Sequence, residues 1–371
     1  MRDVYKKLAK KMDSMPQGFP ATDDGLELKI LRKIFTPEDA ETAIKLKPMP
    51  ETAERIARRF GKPVEEMRTK LDAMAEKGQI GSFTIKGKQR YMFVPYVLGV
   101  FEFQVKHLDE ELAGMVEDYE PAFMQSLGGS KPAFGRVIPL NASIKAEANI
   151  LSYEDMQGMI DKAKSFLLLP CVCRRKKALL GEPCSHPEET CMAFSPEENA
   201  FDYFHHAGRI ISRKEAEEVL AMTEAEGLVH ASYNVQEGHG FVCNCCSCCC
   251  GFLRGLKEFE APYVITSSNF VAAIDSEKCV DCGICAEERC PMEAIVAQDG
   301  GYMVLSDKCL GCGVCVPTCT GSAISLVRRP EEEIETPPKN VVDWFVERSG
   351  SRWGPLRKIA MKAVIALKKP K

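Results

Sequence analysis

The sequence predicts a multidomain α+β protein, and three observations carry that prediction. At 371 residues the chain is long enough for two to three domains with at least one sizeable core. The N-terminal third is patterned as successive helices followed by two short alternating runs, the mark of a small helix-plus-hairpin unit. Further along, eight of the 18 cysteines fall in two runs that nearly repeat one another, and the other ten lie between residues 171 and 250. The expected layout is an arm over 1–24, a helix-and-hairpin domain over 25–96, a cysteine-rich α/β middle domain over 97–260, a duplicated cysteine domain over 268–328, and a linker with a basic amphipathic C-terminal helix over 329–371.

In the N-terminal third, Leu26, Leu28, Ile30, Leu31, Ile34 and Phe35 give helical periodicity. Thr36-Pro-Glu-Asp then supplies an N-cap, a proline at the first helical position and acidic residues in the first turn. A second helix is expected from Glu51 to Phe60, ending at Gly61, and a third from Pro63 through Met67, Leu71 and Met74 to Gly78. Ile80–Ile85 and Gln89–Val94, either side of Lys86-Gly87-Lys88, read as a β-hairpin. Three helices and a hairpin in this order resemble a winged helix-turn-helix domain. That resemblance implies DNA binding through the third helix. Glu65, Glu66, Asp72 and Glu76 against Arg68, Lys70 and Lys77 weigh against phosphate attraction and favour protein docking or a structural role.

The middle region offers helices near Asp109–Met124 and Tyr153–Phe166, then Leu167-Leu-Leu-Pro170 leading into Cys171-Val-Cys173 and a basic run, Arg174 to Lys177. Cys184 and Cys191 follow. A capping box, Ser212-Arg-Lys-Glu215, opens an amphipathic helix ending at Gly227, and Leu228-Val-His230 starts an extended segment. Beyond it stand Cys243, Cys245, Cys246, Cys248, Cys249 and Cys250, six cysteines in eight positions. Thiolates this crowded repel one another unless a cation or cluster neutralises them. The bland readings are a metal-storage tract or reduced structural thiols. The sharper one makes Cys171, Cys173, Cys184, Cys191 and these six the metal ligands of one or two further iron-sulfur clusters. His186, His205, His206, His230 and His239 rank below the cysteines as ligands.

The duplicated runs are Cys279-Val-Asp-Cys282-Gly-Ile-Cys285-Ala-Glu-Glu-Arg-Cys290-Pro and Cys309-Leu-Gly-Cys312-Gly-Val-Cys315-Val-Pro-Thr-Cys319. Their flanks also repeat: Cys290-Pro-Met-Glu-Ala-Ile295 echoes Cys319-Thr-Gly-Ser-Ala-Ile324. Three cysteines two residues apart can curl round one face of a cubane, and the fourth ligand must come from elsewhere. Here the chain resembles the bacterial two-cluster ferredoxins, over about residues 270–328. The resemblance implies a βαβ-type dicluster ferredoxin fold. It also implies crossed ligation, with one [4Fe-4S] cluster on Cys279, Cys282, Cys285 and Cys319 and the other on Cys309, Cys312, Cys315 and Cys290. Two departures bear on loop geometry: four residues rather than three separate Cys285 from Cys290, and Thr320 stands where proline is usual. Structural zinc also uses C-x2-C pairs, but chained triplets with a remote fourth cysteine suit isolated tetrahedral sites poorly.

From Asn340 onward eight basic residues face two acidic ones. Pro355 suits a helix start, and Leu356, Ile359, Ala360, Ala363, Val364 and Leu367 form an apolar stripe. With Trp344 and Trp353, this tail reads as an attachment device for an acidic partner or an anionic membrane face. No P-loop spacing and no G-x-G-x-x-G after a strand occurs. The residues from Met1 to Lys11 have no apolar core of a leader, and no stretch is long and apolar enough to span a bilayer. Cytoplasmic residence, with peripheral membrane attachment through the tail as an addition, is therefore expected. The layout resembles the multi-cluster iron-sulfur proteins of anaerobes. Function is expected to be electron transfer to a partner redox protein or oxidoreductase complex, with no catalytic acid, base or nucleophile identifiable. The alternatives are a redox-sensing transcriptional regulator and an oxidoreductase whose active site is a middle-domain cluster.

Overall fold

The computed structural model describes residues 3–144, 150–204 and 207–366. It is a multidomain α+β architecture in two compact units, each built from two stretches of chain: residues 1–127 with 163–213, and residues 128–162 with 214–371. Residues 97–260 are thus shared between the two units.

In the first unit the helices Leu26–Ile34, Pro37–Lys45, Ala53–Phe60 and Val64–Glu76 precede the antiparallel hairpin of Gly81–Ile85 and Lys88–Met92. The local signals act as expected. Thr36 Oγ1 accepts from the Asp39 N–H at 3.2 Å, Gly61 closes its helix at φ 66°, and Lys86 and Gly87, both at positive φ, make the two-residue turn. Glu51 forms an antiparallel bridge with Tyr91, adding a third short edge to the hairpin. The N-terminal arm is helical from Val4 to Asp13 and buries Leu8, Ala9 and Met12. Its Lys11 donates to the Ala43 and Ile44 carbonyls at 3.0 and 2.6 Å, capping the end of Pro37–Lys45.

The helix expected to reach Phe166 ends at Lys162, and Ser165–Pro170 is a strand. It pairs antiparallel with Glu189–Ser195 on one side and Arg209–Ile211 on the other. Phe166, Leu167 and Leu168 are all buried there, so the apolar run is a central strand lacking the polar alternation that would have marked it. The helix Val172–Leu179 follows at once.

The second unit orders its strands as Phe241–Cys245, Val229–Tyr233, Gly135–Val137 and Ile265–Thr266, the last pair parallel. Two further antiparallel pairs, Phe270–Ile274 with Ile324–Arg328 and Ile295–Gln298 with Gly301–Val304, frame the duplicated cysteine runs. Phe270, Ala272, Ile295, Ile324 and Leu326 form the core between them. The segment read as a linker is tied down: Gln236 and Glu237 N–H donate to the Pro338 and Lys339 carbonyls, both at 2.9 Å, and buried Arg136 donates to Glu335 O at 2.7 Å. The tail is two helices, Val341–Trp353 and Pro355–Ala366, parted at Gly354. Trp344 does not serve attachment. It is 1 % exposed, donates from Nε1 to Ala133 O at 2.9 Å and packs on Phe134, so the first of these helices is core. Among the described residues no helix is long and apolar enough to cross a membrane.

Candidate metal centres

The strand pairs explain how the two cysteine runs meet. Pairing Phe270–Ile274 with Ile324–Arg328 brings the end of the second run to the start of the first, locked by the Asp275 N–H on Ala323 O at 2.9 Å. Pairing Ile295–Gln298 with Gly301–Val304 brings the end of the first run to the start of the second, locked by the Leu305 N–H on Ala294 O at 2.7 Å. Two cavities result. One is lined by Cys279, Cys282, Cys285 and Cys319, walled by Ile274, Tyr302 and Ile324. The other is lined by Cys290, Cys309, Cys312 and Cys315, walled by Ala272, Ile295 and Leu326.

The backbone around the cavities repeats as closely as the sequence. Asp281, Gly283 and Glu293 in the first run and Gly311, Gly313 and Ser322 in the second all sit at φ between 49° and 83°. Positive φ at these matching positions shows that the two runs share one backbone path around their cysteines. Glycine is obligatory at 311, where a Cβ would lie 2.0 Å from Phe270 O. Each remote cysteine also accepts a backbone hydrogen bond: Ala294 N–H to Cys290 Sγ and Ala323 N–H to Cys319 Sγ, both 3.2 Å. The extra residue after Cys285 is absorbed as a π-helical turn over Cys285–Arg289, closed by the Cys290 N–H on Cys285 O at 3.1 Å. In the second run the Cys319 N–H reaches only back to Val316 O. The insertion therefore widens one turn and leaves Cys290 in place on its cavity wall. Thr320, in the usual proline position, is exposed.

Cys285, Cys312 and Cys315 are buried, Cys279, Cys290, Cys309 and Cys319 half-buried, and Cys282 exposed. Burial pushes the Cys312 thiol up to about 12, and burial together with Cys312 raises Cys315. Four thiolates in one apolar cavity carry a large cost that a bound cationic centre removes. Soft thiolates in fours and N–H···S bonds fit an iron-sulfur cluster.

The ten other cysteines form smaller groups. In the second unit Cys246, Cys248 and Cys249 hold their Sγ atoms within 4.8 Å of one another, close enough to bind a metal, with Cys248 and Cys249 3.6 Å apart. Cys246, Cys248 and burial together raise the Cys249 thiol. Cys250, starting the helix Gly251–Lys257, is raised well above the usual range by Cys245 and by burial. Cys243 and Cys245 alternate with Asn244 along their strand. In the first unit Cys171, the N-cap of Val172–Leu179, interacts with Cys173, which lowers its pKa, and with Cys191, which together with burial drives it well up. Cys184 is half-buried in the loop between that helix and Glu189–Ser195.

In the basic run after Cys173 only Arg175 is exposed, and the other three side chains are buried. Lys176 is 0 % exposed and ion-paired to Glu117 at 2.5 Å and Glu120 at 2.8 Å. Lys177 pairs with Glu117 and Glu182, both at 2.8 Å, and Arg174 donates to Pro187 O and Thr190 Oγ1. His230 is buried in Val229–Tyr233, with Nδ1 against Asn244 Oδ1, and His239, in the connection to Phe241–Cys245, meets Ser232 Oγ at 3.0 Å and is lowered by burial to about 4. His205 and His206 lie outside the described residues.

Compared with known proteins, the chain matches no family model, no curated protein and no solved structure.

Proposed function

We propose that this chain is an electron-transfer protein, or the electron-transferring subunit of an oxidoreductase, with two [4Fe-4S] clusters held by the duplicated runs and further iron-sulfur ligation among the ten other cysteines. The observation that carries the reading is the pair of cavities, each lined by three cysteines of one run and the last cysteine of the other. Bound there, a [4Fe-4S] cluster supplies reversible one-electron storage. The chain's own part is to set how readily that store fills. Ala294 and Ala323 donate N–H groups to ligand sulfurs, which stabilises added negative charge and raises the potential. The apolar walls of Ile295 and Leu326 keep water from Cys312 and Cys315. On the other cavity Cys282 is exposed beside Val280, 61 % exposed, which makes this edge the point of exchange with a partner.

The helices and hairpin of the first unit favour a docking role over DNA reading, because the cations on and beside Val64–Glu76, the helix that would enter the groove, are already engaged. Arg68 pairs with Glu54 at 2.9 Å, Lys62 with Glu66 at 2.5 Å, and Lys70 and Lys77 both bind buried Asp39. A helix whose cations must leave carboxylates before meeting phosphate has little electrostatic drive toward a duplex.

Anaerobic titration tests the function. Dithionite added to the purified chain should be consumed reversibly, with about one electron per cluster, and the visible absorbance should return when a viologen dye takes the electrons back. A protein that holds iron and sulfide but neither accepts electrons from dithionite nor returns them to the dye would remove the electron-transfer reading.

A further inference from the structure

The last helix is built inside out. In Pro355–Ala366 the side chains of Leu356, Ile359, Ala360 and Ala363 recur at the spacing that places them on one face. In a helix serving only its own core that face would be buried. Here all four are exposed, Leu356 at 80 % and Ile359 at 63 %, while Lys358 and Met361 on the opposite side are half-buried. The reason is at Gly350 in the preceding helix, where the Lys358 stem packs so closely that an added Cβ would stand 2.9 Å from Lys358 Cβ. Trp344 and Arg348 hold that preceding helix in the core, Arg348 by donating to the Ser130 and Pro132 carbonyls at 2.5 and 2.7 Å. The apolar stripe is thus presented outward from a fixed base.

We propose that this face lies on an anionic membrane surface. Charge selects that occupant. From Trp353 to Lys371 the sequence has six basic residues and no acidic one. A two-fold contact of this helix with its own copy would set these cations against their own kind. Trp353 ends the preceding helix, two residues before the exposed one begins, and is 36 % exposed and flanked by the guanidinium groups of Arg352 and Arg357 at 5.2 and 5.6 Å. An indole between cations, next to a short apolar face, matches the headgroup boundary of a bilayer, where aromatic rings settle and basic side chains meet lipid phosphates. The inference stands apart from the cluster reading, since none of these residues lines a cysteine cavity.

The test is sedimentation of the full chain with phosphatidylcholine vesicles with and without phosphatidylserine. Binding is expected to the serine-containing vesicles, to weaken with added salt, and to shift the Trp353 emission to shorter wavelength. Arg357→Gln and Lys362→Gln should each weaken it about five-fold, and Leu356→Asp with Ile359→Asp should abolish it. All four positions are exposed, so thermal unfolding and visible absorbance should stay as in the parent. Three results would each overturn the proposal: no binding to either vesicle, binding untouched by Leu356→Asp with Ile359→Asp, or a concentration-dependent dimer that the same pair of substitutions disperses. Equal binding to soluble polyglutamate that survives those substitutions would assign the surface to an acidic protein instead.

Discussion

Cys319→Ser is expected to cost the protein one cluster, about four iron atoms per chain, and the loss should fall on the site of Cys279, Cys282 and Cys285, forty residues or so away in sequence. Cys319 lines the cavity of that triplet because Ile324–Arg328 pairs with Phe270–Ile274. Serine keeps the shape but offers a hard oxygen in place of a soft thiolate. Cys290→Ser is the mirror experiment and should empty the site of Cys309, Cys312 and Cys315. Paramagnetic resonance of the reduced variants reads which site remains. Loss from the Cys309 site in Cys319→Ser would show that each run keeps its own fourth ligand.

Lys176→Ala is expected to destabilise the first unit by about 3–5 kcal/mol, the cost of leaving one partner of a buried ion pair uncompensated. The ammonium is fully buried between Glu117 and Glu120, and Glu120 is itself buried. Burial alone would lower the Lys176 pKa, but Glu120, Cys173 and Glu117 raise it overall, so it is charged where it stands. Urea unfolding measures the loss. Adding Glu120→Gln to Lys176→Ala should recover part of it, because the stranded charge is then gone. A change below about 0.5 kcal/mol would mean that the network contributes nothing net.

Much of this was legible where local chemistry decides. Thr36, Gly61 and the Lys86-Gly87 turn act through their own backbone, so their positions could be read directly. The two groups of four cysteines that line the cavities are those the ferredoxin resemblance implies, since each run also has a fourth cysteine of its own and spacing alone leaves the choice open. That the groups hold clusters is the proposal. Other features depended on partners distant in sequence. Leu167 and Leu168 look the same in a buried helix and a central strand, and only the neighbours Met192 and Ile210 make them a strand. Lys176 and Lys177 look like a solvated basic run until Glu117 and Glu182 close on them. Trp344 sits in a charged tail, yet Ala133 and Phe134 make it core. The N–H···S bonds from Ala294 and Ala323 carry no side-chain signal; the one trace in sequence is the Ala-Ile that ends both runs. The π turn could have been suspected from the fourth residue between Cys285 and Cys290, since one added residue in a turn needs a wider ring to hold its ends in register.

Iron and acid-labile sulfide per chain, determined on protein purified without oxygen, test the central claim most directly. Two crossed cubanes with further ligation among the other cysteines predict at least about eight of each, with a brown protein whose visible absorbance bleaches on reduction. A colourless, folded chain carrying zinc and no sulfide would contradict it.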